Sequence, residues 1–395
     1  MTIIKESVPH LRRKASVTRM MVDVLIALAP TLIFSFVVFP IHTLVFYLIS
    51  VFTMIGAEFV YVGVRGIMPY DGKKHSFKER FAYAYKGKFN QNNILTAAIS
   101  AIIFTLIMPA GAPIYAVVIG ALAGIVFGKL VFGGLGSNIF NPAAVGMLFA
   151  KLCFGSQYLP VGFKTDPLPF GYIQPTTWFY SANTTTNSLG DVIAGPTPLG
   201  DINGGFYSNM GNYNLLDMIL GKIPGTLGEV YVITIIIGAI YLLIRQSADF
   251  RIMVSFFGTF ILLTLFAGLS INWATSNNFD FVRFTDYSLL SGGVLFGGVF
   301  MLTDPVTSPI NSPSRWMYGI IAAVFTVFIR LFAALPEGMG FSILIANMIA
   351  VVLDHYEWSS SRYTWKKFLA MGLLIVIPAL VIFLVIKFGG VYNVI

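Results

Sequence analysis

A single hydroxyl lies between two prolines in the longest polar stretch of this chain. Residues 191–200 read Asp-Val-Ile-Ala-Gly-Pro-Thr-Pro-Leu-Gly, within a polar segment over 156–224. Proline restricts its own φ and pushes the preceding residue toward an extended backbone. We therefore expect Pro196 and Pro198 to hold Thr197 on a stiff, exposed turn. Such a hydroxyl is accessible to a modifying enzyme or a ligand, although proline and glycine also punctuate ordinary surface loops.

Three carboxylates are candidates for an ion path because each lies within or beside an apolar segment. Ionisable groups in lipid are rare and usually functional. Glu58 lies well inside an apolar run, whereas Asp23 lies near the end of one, where a capping role competes. Asp304, in Leu-Thr-Asp-Pro-Val-Thr-Ser-Pro, follows a short apolar run and is expected either to cap the next turn or to line an ion path.

A glycine-rich stretch, Phe-Gly-Gly-Leu-Gly-Ser-Asn-Ile-Phe-Asn-Pro-Ala over 132–143, is not a nucleotide-binding fingerprint. It lacks the Gly-x-Gly-x-x-Gly spacing after a strand, and no Gly-Lys-Ser/Thr follows. Its glycines allow tight turns or the approach of a planar ligand, and a close helix crossing explains them equally well.

The composition is that of a membrane protein. Of the 395 residues, 56% are hydrophobic and only 11% are charged, against roughly 25% charged in soluble domains. The net charge of +8 is attributed to membrane orientation and lipid contact, and no nucleic-acid partner is expected. Cys153 is the only cysteine, which excludes an internal disulfide and a four-cysteine iron–sulfur cluster within this chain. The histidines show no metal-ligand spacing, so no metal site is expected.

Apolar runs predict an all-α polytopic membrane protein with 10–11 transmembrane helices, since a helix needs roughly 20 apolar residues to cross a bilayer. The clear runs are Met20–Phe39, Thr43–Val64, Ile94–Met108, Ile114–Phe132, Thr226–Ile244, Ile252–Leu269, Trp316–Phe332 and Lys367–Ile386. Three shorter or interrupted runs are Ile139–Phe154, Leu289–Leu302 and Phe341–Leu353.

Cytoplasmic loops collect Lys and Arg, and 19 of the 25 basic residues fall on one side if the N-terminus is inside. This topology predicts five regions. They are a cytoplasmic segment 1–19, a first bundle 20–155, an extracytoplasmic loop 156–225, a second bundle 226–356 and an additional C-terminal helix 357–395. Within the first bundle, segment 70–93 carries aromatic residues spaced by four and is expected to lie as an amphipathic helix on the cytoplasmic membrane face, with a solvated loop as the alternative.

A weak internal repeat pairs Ile114–Val145 with Met317–Met348. Each copy has a long helix ending in a cation, Lys129 or Arg330, then a turn and a short interrupted helix. Because five predicted spans separate the copies, they run in opposite directions. Inverted repeats with broken helices often build a central site in transporter-like folds, although chance similarity among apolar helices is the competing explanation.

Three motifs resemble one family of membrane subunits. They are Lys129–Ala143 (Lys-Leu-Val-Phe-Gly-Gly-Leu-Gly-Ser-Asn-Ile-Phe-Asn-Pro-Ala), Phe300–Pro309 and Leu335–Met348. The chain resembles the NqrB/RnfD family, which comprises the RnfD subunit of the Rnf ferredoxin:NAD⁺ oxidoreductase and the NqrB subunit of the Na⁺-translocating NADH:quinone reductase. The start, Ser7-Val-Pro-His-Leu-Arg, and the short segment before the first span resemble the Rnf type.

The resemblance implies FMN joined covalently, through its phosphate, to the Thr197 hydroxyl. The family pattern is Asp-x-x-Ser/Thr-Gly-Ala-Thr, of which this chain keeps Asp191, Gly195 and Thr197 but has Ala194 and Pro196. It also implies a flavin transferase and other membrane and peripheral subunits as partners, with the bacterial inner membrane as the location. A second flavin or riboflavin is left open.

The expected function is a subunit of an ion-translocating oxidoreductase, in which electron transfer through flavin drives Na⁺ or H⁺ across the membrane. Two alternatives remain, since fold does not determine function. One is the NqrB subunit of the quinone reductase, and the other is a redox-inactive channel or transporter with the same broken-helix core.

Overall fold

A computed structural model describes thirteen stretches of the chain. They are residues 17–66, 76–85, 89–158, 170–171, 173, 184–186, 192–194, 214–221, 223, 225–275, 279–333, 338–355 and 361–388.

The first half contains five membrane-type helices and one short helix. The bounds are α1 Val17–Val38, α2 Pro40–Arg65, α3 Phe77–Tyr85, α4 Gln91–Ile107, α5 Ile114–Ile125 and α6 Pro142–Phe154. Helix α5 continues into a π-helical turn, Val126–Leu130, which we call π1. Helix α6 begins where a good start signal predicts, because the Asn141 side chain accepts bonds from the amides of Ala143 and Ala144 and Pro142 occupies the first turn.

The second half follows a short helix, α7 Leu215–Leu220. Its remaining helices are α8 Val232–Arg245, α9 Phe250–Thr275, α10 Phe281–Leu290, α11 Val294–Phe296, α12 Ser312–Phe332, α13 Met339–Asp354 and α14 Trp365–Phe388. The three-residue α11 runs into a second π-helical turn, Gly297–Met301, called π2. The predicted run 289–302 is therefore interrupted, since α10 and the α11–π2 segment are separate helical pieces.

Five helices are long and apolar enough to span a membrane, namely α1, α2, α9, α12 and α14. Shorter apolar helices occupy other predicted runs, and the prediction of an all-α polytopic membrane protein is confirmed. The one addition is a hairpin of two antiparallel strands, β1 Thr184–Thr186 and β2 Val192–Ala194. Within segment 70–93, the described helix is α3, and Tyr85 stacks on Phe59 of α2 with ring centroids 4.4 Å apart.

Helix packing supports the inverted repeat. In the first copy α2 packs on α4 and α5, and α5 packs on α6; in the second copy α9 packs on α10 and α12, and α12 packs on α13. The two copies meet through α1 against α8 and through α6 against α13. Each of these junctions joins equivalent helices, as a pseudo-two-fold relation requires. The expectation that the interrupted segments 139–154 and 341–353 face each other is met, because Gly340 of α13 abuts Met147 and Leu148 of α6.

The close approach of α5 to α6 depends on glycine at every fourth residue. A Cβ on Gly124 would lie 2.6 Å from the carbonyl oxygen of Pro142, and one on Gly128 would lie 2.7 Å from its Cα. Gly120 faces Ala150 in the same way. Small residues at this spacing let helix backbones touch in lipid, where van der Waals packing replaces the hydrophobic drive.

Helix α14 covers α9 and α12. Trp273 of α9 stacks on Phe383 with centroids 5.4 Å apart, and the Lys387 ammonium lies 5.1 Å from the same indole. Most of the remaining surface of α14 is apolar and exposed, as expected of a helix that faces lipid.

Candidate functional site

The segment that carries Thr197 leaves one end of the helix bundle. Thr197, Asp191 and Gly195 lie outside the described residues, and strand β2 occupies the three positions between Asp191 and Gly195. The chain returns to the bundle beside the end of α4. There the Thr226 hydroxyl donates to the carbonyl of Leu106 at 3.0 Å, and the amide of Leu227 donates to that of Met108 at 3.1 Å.

A polar crevice opens at the opposite end of the bundle, between the two repeats. Its volume is about 60 Å³, room for roughly four water molecules. The polar side chains that line it come from both halves of the chain: Thr96, Ser100, Lys129, Asn138, Asn141, Ser247, Thr303 and Asp304. The site therefore exists only where the repeats meet.

The crevice wall contains a buried ion pair. The Lys129 ammonium donates to Glu58 Oε2 at 2.6 Å and to Thr96 Oγ1 at 2.8 Å. The other carboxylate oxygen of Glu58 accepts a bond from Asn93 Nδ2 at 2.9 Å. Only 2–3% of either charged side chain is exposed, so both charges are compensated inside the protein, as burial requires. The pair joins π1 to α2 and α4.

Asp304 differs from Glu58 in having no cationic partner. Its Oδ1 accepts from the amide of Val306 at 3.1 Å, and its Oδ2 accepts from the Thr307 hydroxyl at 3.4 Å. Both bonds are local, as expected of a residue that caps a turn. In the described part of the chain, neither Lys nor Arg forms an ion pair with Asp304. Its charge thus faces the crevice without a direct counter-charge.

Asp23 is bonded across the junction between the repeats. Its carboxylate accepts from Ser247 Oγ at 2.7 Å, Arg245 Nε at 3.1 Å and the Tyr241 hydroxyl at 3.2 Å. It does not line the crevice, although Ser247 does. The geometry ties α1 to the end of α8, and this tie is what the arrangement of Asp23 most directly explains.

Two π-helical turns bring the charged groups to the crevice. Lys129 lies within π1, and Asp304 follows π2 by three residues. Such turns widen a helix by one residue, shift the side chains that follow, and often occur at functional sites. The Asn141 side chain links the two regions, because its Nδ2 donates to the carbonyl of Met301 at 3.4 Å.

The second repeat treats its cation differently. Arg330, the counterpart of Lys129 at the end of α12, donates to the backbone carbonyls of Ser288 and Ser291 and lies 5.6 Å from the ring of Phe260. It thereby joins α9 to α10, just as Lys129 joins α2 to α4. Arg330 is at the end of the bundle that carries Thr197, so the two repeats place one buried cation at each end.

Sequence reasoning identified Glu58 and Asp304 but missed the group between them. Lys129 entered only as a repeat marker and a topological charge, and Asn93 and Thr96 were not singled out. A lysine near the end of an apolar run, together with an intramembrane glutamate, was an available signal for an ion pair. The partner itself was not readable, because 71 residues separate Lys129 from Glu58.

Similar proteins are subunits of two kinds of membrane complex. The NqrB subunit of the Na(+)-translocating NADH-quinone reductase from Chromohalobacter salexigens is 33% identical over 259 residues, which are 65% of this chain and 57% of that protein. The same subunit from Ectopseudomonas mendocina is 31% identical over 283 residues, 70% of this chain and 62% of that protein. The chain therefore matches less than two thirds of either NqrB protein.

The other kind of relative is matched nearly throughout. The RnfD-type subunit of the ion-translocating oxidoreductase complex from Haemophilus influenzae is 26% identical over 372 residues, which are 89% of this chain and 95% of that protein. The model of the NQR2, RnfD, RnfE family matches residues 4–361, which include every residue that lines the polar crevice. The chain belongs to the NQR2, RnfD, RnfE family.

Proposed function

We propose that this chain is a membrane subunit of an ion-translocating electron-transport complex of the Rnf type, a ferredoxin:NAD⁺ oxidoreductase. The observation that carries the proposal is the match to 95% of an RnfD-type subunit of an ion-translocating oxidoreductase, against 57% and 62% of two NqrB subunits of quinone reductases. The other subunits of such a complex are its proposed partners.

The proposed redox group is FMN, held by a phosphoester bond to the Thr197 hydroxyl. The support is the sequence pattern, in which Asp191, Gly195 and Thr197 keep the family spacing. A flavin transferase would recognise this segment and attach the group. Bound FMN supplies electron-transfer chemistry, while the protein positions it and excludes competing reactions.

The polar crevice is the proposed entrance for the translocated cation. It lies at the junction of inverted repeats, where many transporters bind ions, and Asp304 offers it an uncompensated carboxylate. Thr197 and the crevice are associated with opposite ends of the bundle. An ion that enters at Asp304 would therefore cross toward the flavin-bearing side.

Flavin attachment is tested on the assembled complex, made together with the flavin transferase. Under ultraviolet light, the wild-type band on a denaturing gel should fluoresce, and a peptide spanning 191–200 should be heavier by one FMN less one water. Thr197→Val keeps the side-chain shape and should abolish both signals. Thr186→Val, the matched control in the same loop, should leave them unchanged. An unmodified 191–200 peptide in the wild type would refute the flavin assignment.

The quinone-reductase type is the alternative, favoured by the higher identity of 33% to an NqrB protein. The electron partner distinguishes the two. Membranes that contain the Rnf type should reduce NAD⁺ with reduced ferredoxin, whereas the alternative type should oxidise NADH with a quinone. A redox-inactive channel would show neither reaction and no covalent flavin.

A further inference from the structure

We propose that Glu58 is a positioning residue that neutralises Lys129 and thereby leaves the negative charge of Asp304 free to attract a cation into the polar crevice. The proposal rests on the proposed function in treating the crevice as the entrance of an ion path. It assigns Glu58 a role different from that of an ion ligand.

Glu58 is badly placed to bind an ion directly. It is 1% exposed and does not line the crevice. Each carboxylate oxygen already accepts a short bond, one from Asn93 and one from Lys129. An entering cation would have to displace both partners, one of which carries a full positive charge.

Lys129 links Glu58 to the crevice. Its side chain is part of the crevice wall, and its charge is close enough to that of Asp304 for the two to interact. The bonds to Glu58 and Thr96 hold the ammonium at the junction of π1, α2 and α4. A lysine has a long flexible stem and a compact charge, so loss of Glu58 would leave an unpaired ammonium with Asp304 as the carboxylate across the crevice.

The sign of the effect follows from charge balance. With Glu58 ionised, the pair is neutral and Asp304 makes the crevice negative. Without Glu58, the Lys129 charge offsets that of Asp304, and cations are no longer favoured. A unit charge 5–10 Å away in a partly hydrated site changes local ion concentrations roughly three- to tenfold.

The test measures the charge of the crevice directly, in membranes that contain the assembled complex. Leu135 is a half-buried residue of the crevice wall, and Leu135→Cys in a Cys153→Ala background provides one thiol on this chain. Two methanethiosulfonate reagents of similar size, one with a sulfonate and one with a trimethylammonium group, report the potential through the ratio of their reaction rates. Mass spectrometry of this chain gives the rates.

Four variants separate charge balance from a structural or ligand role. Glu58→Gln should shift the rate ratio about three- to tenfold toward the anionic reagent, and Lys129→Met should shift it toward the cationic one. The double variant should restore the wild-type ratio. Glu79→Gln, the matched control on the exposed helix α3, changes the net charge equally and should leave the ratio unaltered.

An unchanged ratio in Glu58→Gln would overturn the proposal, as would a double variant that keeps the shift of Glu58→Gln. If Glu58 were itself the site of negative charge, Lys129→Met would not compensate its loss. The measurement uses neither flavin nor ion transport. A complex without covalent flavin or without cation-coupled activity would refute the proposed function and leave this result to be judged separately.

Discussion

The Lys129 ammonium and Glu58 Oε2 lie 2.6 Å apart in a nearly dry part of the helix bundle, on residues from π1 and α2. Burial of both charges makes each side chain dependent on the other. Asp304, on the other side of the crevice, has only local hydrogen bonds. The site therefore combines one compensated and one uncompensated carboxylate, and the consequences can be tested.

Removing either member of the ion pair should destabilise the protein, because the remaining charge stays buried. Lys129→Met and Glu58→Gln should each cost about 3–5 kcal/mol, and the double variant should recover most of that loss. Thermal unfolding of the purified protein, followed by size-exclusion chromatography, measures the change. Additive losses in the double variant would show that the two side chains do not depend on each other.

Asp304 and Asp23 should respond differently to the same substitution. Asp304→Asn should raise the cation concentration for half-maximal transport about tenfold with little change in stability, because its bonds are local and its charge faces the crevice. Asp23→Asn weakens three cross-helix bonds and should cost roughly 1.5–3 kcal/mol of stability, with the cation dependence unaltered. Ion uptake by reconstituted vesicles and thermal unfolding distinguish these effects. The reverse pattern would place Asp23, not Asp304, on the ion path.

Gly124 should not tolerate a methyl group. In Gly124→Ala the new Cβ would meet the Pro142 carbonyl oxygen at 2.6 Å, so we expect a loss of about 1–3 kcal/mol from overpacking. Gly56→Ala in α2 is the matched control, since nothing lies within 4 Å of its Cβ position. That variant should be neutral or gain up to about 1 kcal/mol from helix propensity. Equal thermal midpoints for the two variants would contradict close α5–α6 packing.

The orientation predicted from basic residues can be tested with two serines. Cys153 is exposed and is first replaced by alanine. In intact cells, Ser181→Cys should react with an impermeant maleimide, whereas Ser137→Cys, in the exposed turn after π1, should react only after lysis. The opposite labelling pattern in correctly inserted variants would invert the topology.

Much of the fold was predictable because membrane helices are recorded locally. Each apolar run is its own signal, since lipid requires a continuous apolar helix whose backbone groups are bonded internally. The Asn141-Pro142 start of α6 and the interruption within 289–302 were likewise local. Thr197 stands out by its flanking prolines and by a family motif, and its assignment remains a prediction from the sequence.

What the sequence by itself determined is the set of helices and the identity of the candidate carboxylates Glu58, Asp23 and Asp304. Tertiary structure alone decided their environments. Lys129 meets Glu58 because α2, α4 and π1 pack together, and a π-helical turn shifts the side chain by an amount that hydropathy does not encode. Whether a buried charge is compensated depends on groups distant in sequence, so only the packed bundle separates a carboxylate held in an ion pair from one open to an ion.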